Sequence, residues 1–413
     1  MTISMAKITT HNYKNLQKGD IHLSNLNLLI GPNGSGKTNL VNVLRFLKDA
    51  ITPPTDESRG ITGFEDAVFR LGGPRILDGT VDIPAKVSLD YGFASAVAAG
   101  ENARLQLKLS VRNKYINIDK ERLVVDAIDD AGMLTLYECD GATVLFSANK
   151  QRLAFKEGTR DLVLVAMPTL SNERLAPPDE TSVYETRRQL LDTISQWRFY
   201  NANNMSLDTI RHAEPKIGPS DKFLSASGDN LSRVLHNLIQ ESLDFEEQVN
   251  NAMQAILPST RKIRAVTSGR LSLTTEWHVA NVDTPFYLDE MSDGTVRMLC
   301  WAIVLNSPIL PTLLVIEEPE IGIHVAWLRV LAEWIKTASL KTQIIISTHS
   351  PDLLDYFTDQ VENILVFQAV ERDAVHFTVQ PLSPSAVETW LKEGWQLGDL
   401  YRIGDPSIGG WPW

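Results

Sequence analysis

Residues 26–50 read as a strand that runs directly into a glycine loop and then a helix: Leu26–Ile30, the octet Gly31-Pro-Asn-Gly-Ser-Gly-Lys-Thr38, and an apolar-periodic segment beyond it. The octet matches G-x-x-x-x-G-K-[ST] without a gap, and both flanks are of the required type. Glycines let backbone N–H groups converge on phosphate oxygens at a helix N-terminus, where the dipole favours anions. Asn33, Gly34, Ser35, Gly36, Lys37, Thr38 and Asn39 are therefore the expected phosphate-binding stretch. Lys37 is expected to reach the β- and γ-phosphates of a nucleotide, and Thr38 to ligate Mg²⁺. A loop of this kind belongs at the end of a parallel strand, which predicts an α/β fold.

Three further segments carry chemistry. Leu313-Leu-Val-Ile-Glu-Glu-Pro-Glu320 is an apolar strand ending in two carboxylates, placed where ligands bind in open α/β sheets. Glu317 suits the Mg²⁺ side, and Glu318 suits the base that orients or deprotonates an attacking water. Ile344-Ile-Ile-Ser-Thr-His-Ser-Pro351 is a second such strand, capped by His349, a candidate hydrogen-bond donor to the γ-phosphate or the water. Met291-Ser-Asp-Gly-Thr295 precedes a helix; Ser292 suits an N-cap and Gly294 a close approach to an anion, with Asp293 between them.

The 413 residues carry 39 basic and 51 acidic side chains, a net charge of −12. That balance argues against coating nucleic acid through bulk charge but leaves room for a local basic groove. The two cysteines, Cys139 and Cys300, are far apart, which disfavours a disulfide framework or a cysteine zinc site. No apolar run approaches a bilayer span, and the start lacks a signal-peptide pattern. The reading is a cytoplasmic protein with no membrane partner. Four stretches are expected: 1–80 with the phosphate loop; 81–175, β-rich; 176–285, mainly helical; and 286–413, where α/β character returns. Thr52–Gly79 reads as an irregular connection, Glu173–Asp179 as a boundary, and Asn230–Leu257 as one helix.

The constellation resembles the ABC-type ATPase head of the RecF, SMC and OLD group, and in particular bacterial AAA-family ATPases of the AAA-21 kind. Ser292–Thr295 resembles the signature motif, Glu317–Glu318 the Walker B end, Glu320–His324 (EIGIH) the D-loop, and His349 the switch histidine. WRFYN at Trp197–Asn201, SASGDNLSRVLHNL at Ser225–Leu238 and WQLGDLYRIGDPSIGG near the C-terminus also resemble recurrent segments of that family. The signature reads MSDGT rather than LSGGQ, and Val325 stands where a proline often follows the D-loop histidine. No glutamine lies between Thr38 and Gln106 to supply a Q-loop, leaving Arg70 as a substitute.

The resemblance implies a P-loop NTPase fold of ABC-head type with an inserted β-rich and helical middle region. It implies ATP and Mg²⁺ as cofactors, ATP hydrolysis, and a homodimer or higher oligomer in which Ser292 and Gly294 of one copy complete the site of the other. Asn12, Tyr13 and Lys14 are implied near the adenine or ribose. The family association is with anti-phage defence beside a separate nuclease or toxin effector. About 60 residues follow His349, too few for the appended nuclease of OLD proteins. The rival is a RecF-like DNA-binding repair ATPase without an effector. Arg187, Arg188, Arg198, Arg211, Arg261, Lys262, Arg264 and Arg270 are the residues that could line a DNA path. Trp197, Phe199 and Tyr200 read as core rather than a base-stacking platform, and the tryptophans at 395, 411 and 413 as an apolar tail.

Overall fold

The computed structural model describes residues 3–16, 19–54, 60–95, 102–112, 115–126, 133–140, 143–146, 152–154, 161–166, 181–370 and 375–409. The boundary expected at Glu173–Asp179 and the last two tryptophans lie outside them. Two compact units result, one of residues 1–197, 363–382 and 409–413, the other of residues 198–362 and 383–408.

The first unit carries an antiparallel sheet in the order β2-β1-β4-β5-β6-β7-β8-β9. Its strands are β1 (Ile3–His11), β2 (Gly19–His22), β4 (Ala85–Ser95), β5 (Asn102–Arg112), β6 (Tyr115–Asp126), β7 (Met133–Cys139), β8 (Thr143–Phe146) and β9 (Arg152–Ala154). Strict alternation builds it: Leu105, Leu107, Leu109 and Val111 of β5 are buried, while Lys108 points to solvent. The β-rich stretch is thus continuous with the N-terminal strands, because β4 pairs along the whole length of β1.

The same unit holds β3 (Leu26–Ile30), every residue of it buried, parallel to β16 (Ile364–Ala369), which pairs in turn with antiparallel β17 (Phe377–Pro381). Helix α1 (Lys37–Ile51) buries Leu40, Val41, Val43, Leu44, Phe46 and Leu47 at helical spacing. The connection expected to be irregular contains a helix, α2 (Gly63–Leu71). A reciprocal capping box starts it: Thr62 accepts from the Glu65 N–H while Glu65 accepts from the Thr62 N–H. Phe64 packs edge-on against Phe46 at 6.0 Å and anchors it. Helix α3 (Thr181–Ser195) leads to Trp197, which is buried and stacked on Phe93.

In the second unit β10 (Arg198–Asn201), β14 (Leu313–Glu317) and β15 (Gln343–Ser347) are parallel neighbours in that order. All residues of β14 and β15 are buried, as a strand covered on both faces requires. Helices α4 (Leu207–His212), α5 (Leu231–Glu241) and α6 (Leu243–Gln254) precede a small sheet of β11 (Thr260–Ser268), β12 (Ser272–Val279) and β13 (Phe286–Tyr287). The single helix expected over Asn230–Leu257 is two, because Ser242 is extended (φ −142°, ψ 111°) and breaks it. Helix α7 (Asp293–Leu305) is buried from Met298 to Leu305, and α8 (Leu328–Ser339) separates β14 from β15. Among the described residues no helix is long and apolar enough to cross a membrane.

Candidate nucleotide site

The phosphate loop joins β3 to α1. Three of its glycines have positive φ: Gly31 (145°), Gly34 (77°) and Gly36 (101°). At Gly31 a Cβ would lie 2.8 Å from the Phe367 carbonyl oxygen, and at Gly36 it would lie 2.7 Å from Asn15 Oδ1. Both positions thus exclude side chains on two counts, conformation and space. Lys37 is 7% exposed and folds back, its Nζ donating to the Gly31 and Pro32 carbonyls at 2.7 and 2.9 Å. Thr38 is exposed on the first turn of α1, as are Asn33 and Gly34 in the loop.

These residues fit a nucleotide phosphate. No side chain caps α1, whose N-cap is Gly36, so its first N–H groups are available to an external anion. Ser35 Oγ is buried and makes no hydrogen bond, a polar atom whose solvation an anion would restore.

Sequence reasoning missed Asn15. Its Nδ2 donates to the Gly34 carbonyl at 2.6 Å, and its Oδ1 accepts from Asn39 Nδ2 at 2.7 Å. One amide thereby ties the loop to the first turn of α1. No spacing in the sequence marks Asn15; the structure shows it beside Asn12 (φ 55°) and Lys14 (φ 44°), which hold left-handed conformations that non-glycine residues seldom adopt. Of the three residues implied near the base, Tyr13 is fully buried, and burial raises its phenol pKa; Asn12 and Lys14 are partly exposed. Arg70, the Q-loop substitute, ends α2 in ion pairs with Asp66 and Asp49.

In the second unit the register places Asn201, Glu317 and Ser347 side by side at the C-terminal ends of β10, β14 and β15. Glu317 is buried, at 3% exposure. Glu318 turns out of the strand through a left-handed conformation (φ 53°) while its N–H still donates to the Ser347 carbonyl at 2.8 Å. Its Oε2 accepts from Asn203 Nδ2 at 2.9 Å. Glu320 bridges the D-loop to the end of β15. Its Oε1 accepts from Thr348 Oγ1 at 2.6 Å and from the His349 N–H at 3.0 Å. Burial raises the Glu320 pKa.

Ser292 caps α7, accepting from the Thr295 N–H at 3.3 Å. Asp293 is paired: Arg211 donates to it at 2.6 Å and to the Met291 carbonyl at 2.7 Å. A sequence that substitutes Asp for Gly in the signature thus carries its own counter-charge. At Gly294 a Cβ would lie 3.0 Å from the Gly322 carbonyl oxygen, so the absence of a side chain at Gly294 lets these two backbone segments approach closely.

Arg211, one of the candidates for a DNA path, donates to the Met291 carbonyl and to Asp293 at the start of α7. Arg187 donates to the Leu164 and Val165 carbonyls, and Arg198 lies 4.2 Å over the Phe223 ring. Lys262 pairs with Glu246 and Arg264 with Glu276. Arg188, Arg261 and Arg270 are exposed. Tyr200 is buried, its hydroxyl donating to the Leu224 carbonyl, which makes it core as expected.

A Gly-Lys-Thr loop on a buried strand, an acidic strand end and a histidine-capped third strand together define a P-loop nucleotide-binding protein. The family model described as "AAA domain, putative AbiEii toxin, Type IV TA system" matches residues 26–355. The chain belongs to that family. A segment of 67 residues is 36% identical to the DNA replication and repair protein RecF of Lactobacillus acidophilus, covering 16% of this chain and 18% of that protein. Similar solved structures include an SMC head bound to the C-terminal winged-helix domain of ScpA (13% identity, TM-score 0.49, 93% of this chain and 99% of that one). The SMC head domain from Thermotoga maritima is also similar (9% identity, TM-score 0.45, 92% and 99%).

Proposed function

We propose that this protein binds and hydrolyses ATP with Mg²⁺ and works as a switch: ATP closes a head-to-head dimer and hydrolysis opens it. The observation that carries the reading is the phosphate loop itself, an uncapped helix N-terminus with Lys37 beneath it and an unpartnered buried hydroxyl at Ser35. Lys37 neutralises the β- and γ-phosphates as a point charge. Thr38 and Glu317 are the residues that would hold Mg²⁺, which offsets phosphate charge when bound. Glu318 takes the proton of, or orients, the attacking water, and His349 steadies the γ-phosphate. Ser292, Asp293 and Gly294 of a second copy close over the nucleotide, with Arg211 offsetting the Asp293 charge. The family description and the resemblance to anti-phage ATPases support a cytoplasmic role in defence, controlling a separate nuclease or toxin effector.

Two variants test this. Lys37→Ala is expected to abolish ATP binding in calorimetry. Glu318→Gln is expected to keep ATP binding and lose about a hundredfold or more in turnover. Undiminished affinity in the first, or wild-type turnover in the second, removes the corresponding assignment.

A further inference from the structure

We infer that Asn203 and Arg297 form a positioning relay that carries the placement of the signature helix to the carboxylate of Glu318. The inference rests on the hydrolytic reading above and adds two residues to it, neither of which any sequence motif singles out.

Glu318 leaves β14 in a left-handed turn, with its backbone fixed by the bond to the Ser347 carbonyl. A glutamate side chain still has three rotatable bonds beyond that point. The Asn203 amide supplies a directional restraint, donating to Oε2 at 2.9 Å. Asn203 is itself held by a local turn: its N–H donates to Asn201 Oδ1 at 2.9 Å, and the Asn204 N–H donates to the Asn201 carbonyl at 3.0 Å. This is a side-chain-stabilised turn of the kind asparagine favours.

The turn is anchored at both sides of Ala202. The Ala202 N–H donates to the Glu317 carbonyl at 3.1 Å, and its carbonyl accepts from Arg297 Nη1 at 2.6 Å. Arg297 sits on α7, one turn beyond Asp293, and its guanidinium passes over Gly322, where a Cβ would lie 2.9 Å from Nε. Among the described residues Nε is buried without a hydrogen-bond partner, and the guanidinium is held by the Nη1 bond and by packing on Gly322. A shift of α7 therefore moves the Ala202 carbonyl, and with it the amide that aims Glu318. The relay is two hydrogen bonds joined through the Ala202–Asn203 backbone, running from α7 to the reacting group, a contiguous network of the kind that carries coupling in a packed protein.

Two properties distinguish such a relay from a merely structural contact. It acts on turnover and not on nucleotide affinity, and it works only through Glu318. The test is steady-state and single-turnover ATP hydrolysis, with ATP affinity measured in parallel by calorimetry. Asn203→Ala is expected to lower kcat about tenfold or more while leaving ATP affinity within about twofold. Asn203→Gln, which retains an amide donor, is expected to recover much of the loss. Placed on Glu318→Gln, Asn203→Ala is expected to cause no further loss. Arg297→Lys, which keeps the charge but loses the planar fork that sets Nη1 on the Ala202 carbonyl, is expected to lower kcat in the same way, and its effect should not add to that of Asn203→Ala.

Wild-type kcat in Asn203→Ala overturns the relay while leaving the ATPase reading intact. Equal losses in Asn203→Ala and Asn203→Gln, or full additivity of Asn203→Ala with Arg297→Lys, also overturn it. A wild-type protein that binds Mg·ATP but never hydrolyses it overturns the hydrolytic reading and the relay with it.

Discussion

Glu121 gives the most quantitative prediction. It is fully buried in β6, where it accepts from Tyr137 Oη at 2.7 Å and from the Val163 and Leu164 N–H groups at 2.7 and 3.0 Å. It thereby caps the helical turn at residues 163–166, whose far end is held by Arg187. Three donors favour the carboxylate, yet burial outweighs them and pushes its pKa from 4.5 up to about 7. A raised carboxyl pKa means that the folded state holds a proton the unfolded chain has released. Between these two values stability therefore falls as pH rises; the linked contribution is full below pH ~4.5 and gone above pH ~7. The rise from 4.5 to about 7 corresponds to about 3 kcal/mol. Glu121→Gln cannot titrate, so its stability relative to wild type is expected to improve by about that amount between pH 4.5 and 8, whatever its offset at acid pH. Urea unfolding of both proteins across that range, followed by fluorescence, measures the difference. A difference that stays flat, or that moves the other way, refutes the claim that burial dominates the Glu121 environment.

Two predictions concern the nucleotide. Asn15→Ala removes both bonds that tie Gly34 to Asn39; at about 1 kcal/mol each, ATP affinity is expected to fall about tenfold or more with the circular dichroism spectrum unchanged, and unaltered affinity in calorimetry would remove Asn15 from the loop's support. Ser292→Arg, added to Glu318→Gln, is expected to abolish the rise in mass that Mg·ATP produces in light scattering, because it places bulk and charge where the second copy docks; a mass that rises regardless rejects the head-to-head arrangement.

Much of this site was legible in the sequence because its parts are locally encoded. The strands that end at Ile30, Glu317 and Ser347 are five-residue buried stretches, and the short apolar runs inside them (Leu28–Ile30, Leu313–Ile316 and Ile344–Ile346), bounded by polar residues, mark such strands without knowledge of their neighbours. The same logic explains what was misread. Helix α2 announces itself only through the reciprocal Thr62–Glu65 cap, a pair easily lost in a stretch rich in proline, glycine and charge. The break at Ser242 has no glycine or proline to signal it, and no side-chain cap at α6 either. Asn15, Arg211, Asn203 and Arg297 belong to a third kind. Asn15 acts on a residue 19 positions away, Arg211 on one 82 away, Arg297 on one 95 away and Asn203 on one 115 away. None of these pairings has a fixed spacing that a motif could capture, because each joins segments that only the folded chain brings together. The residues that contact phosphate or water must have particular chemistry and so leave a pattern. Those that aim them need only a donor at the right point in space, and for Asn203 that point exists only once Asn201, Glu317 and Ser347 are aligned across three strands.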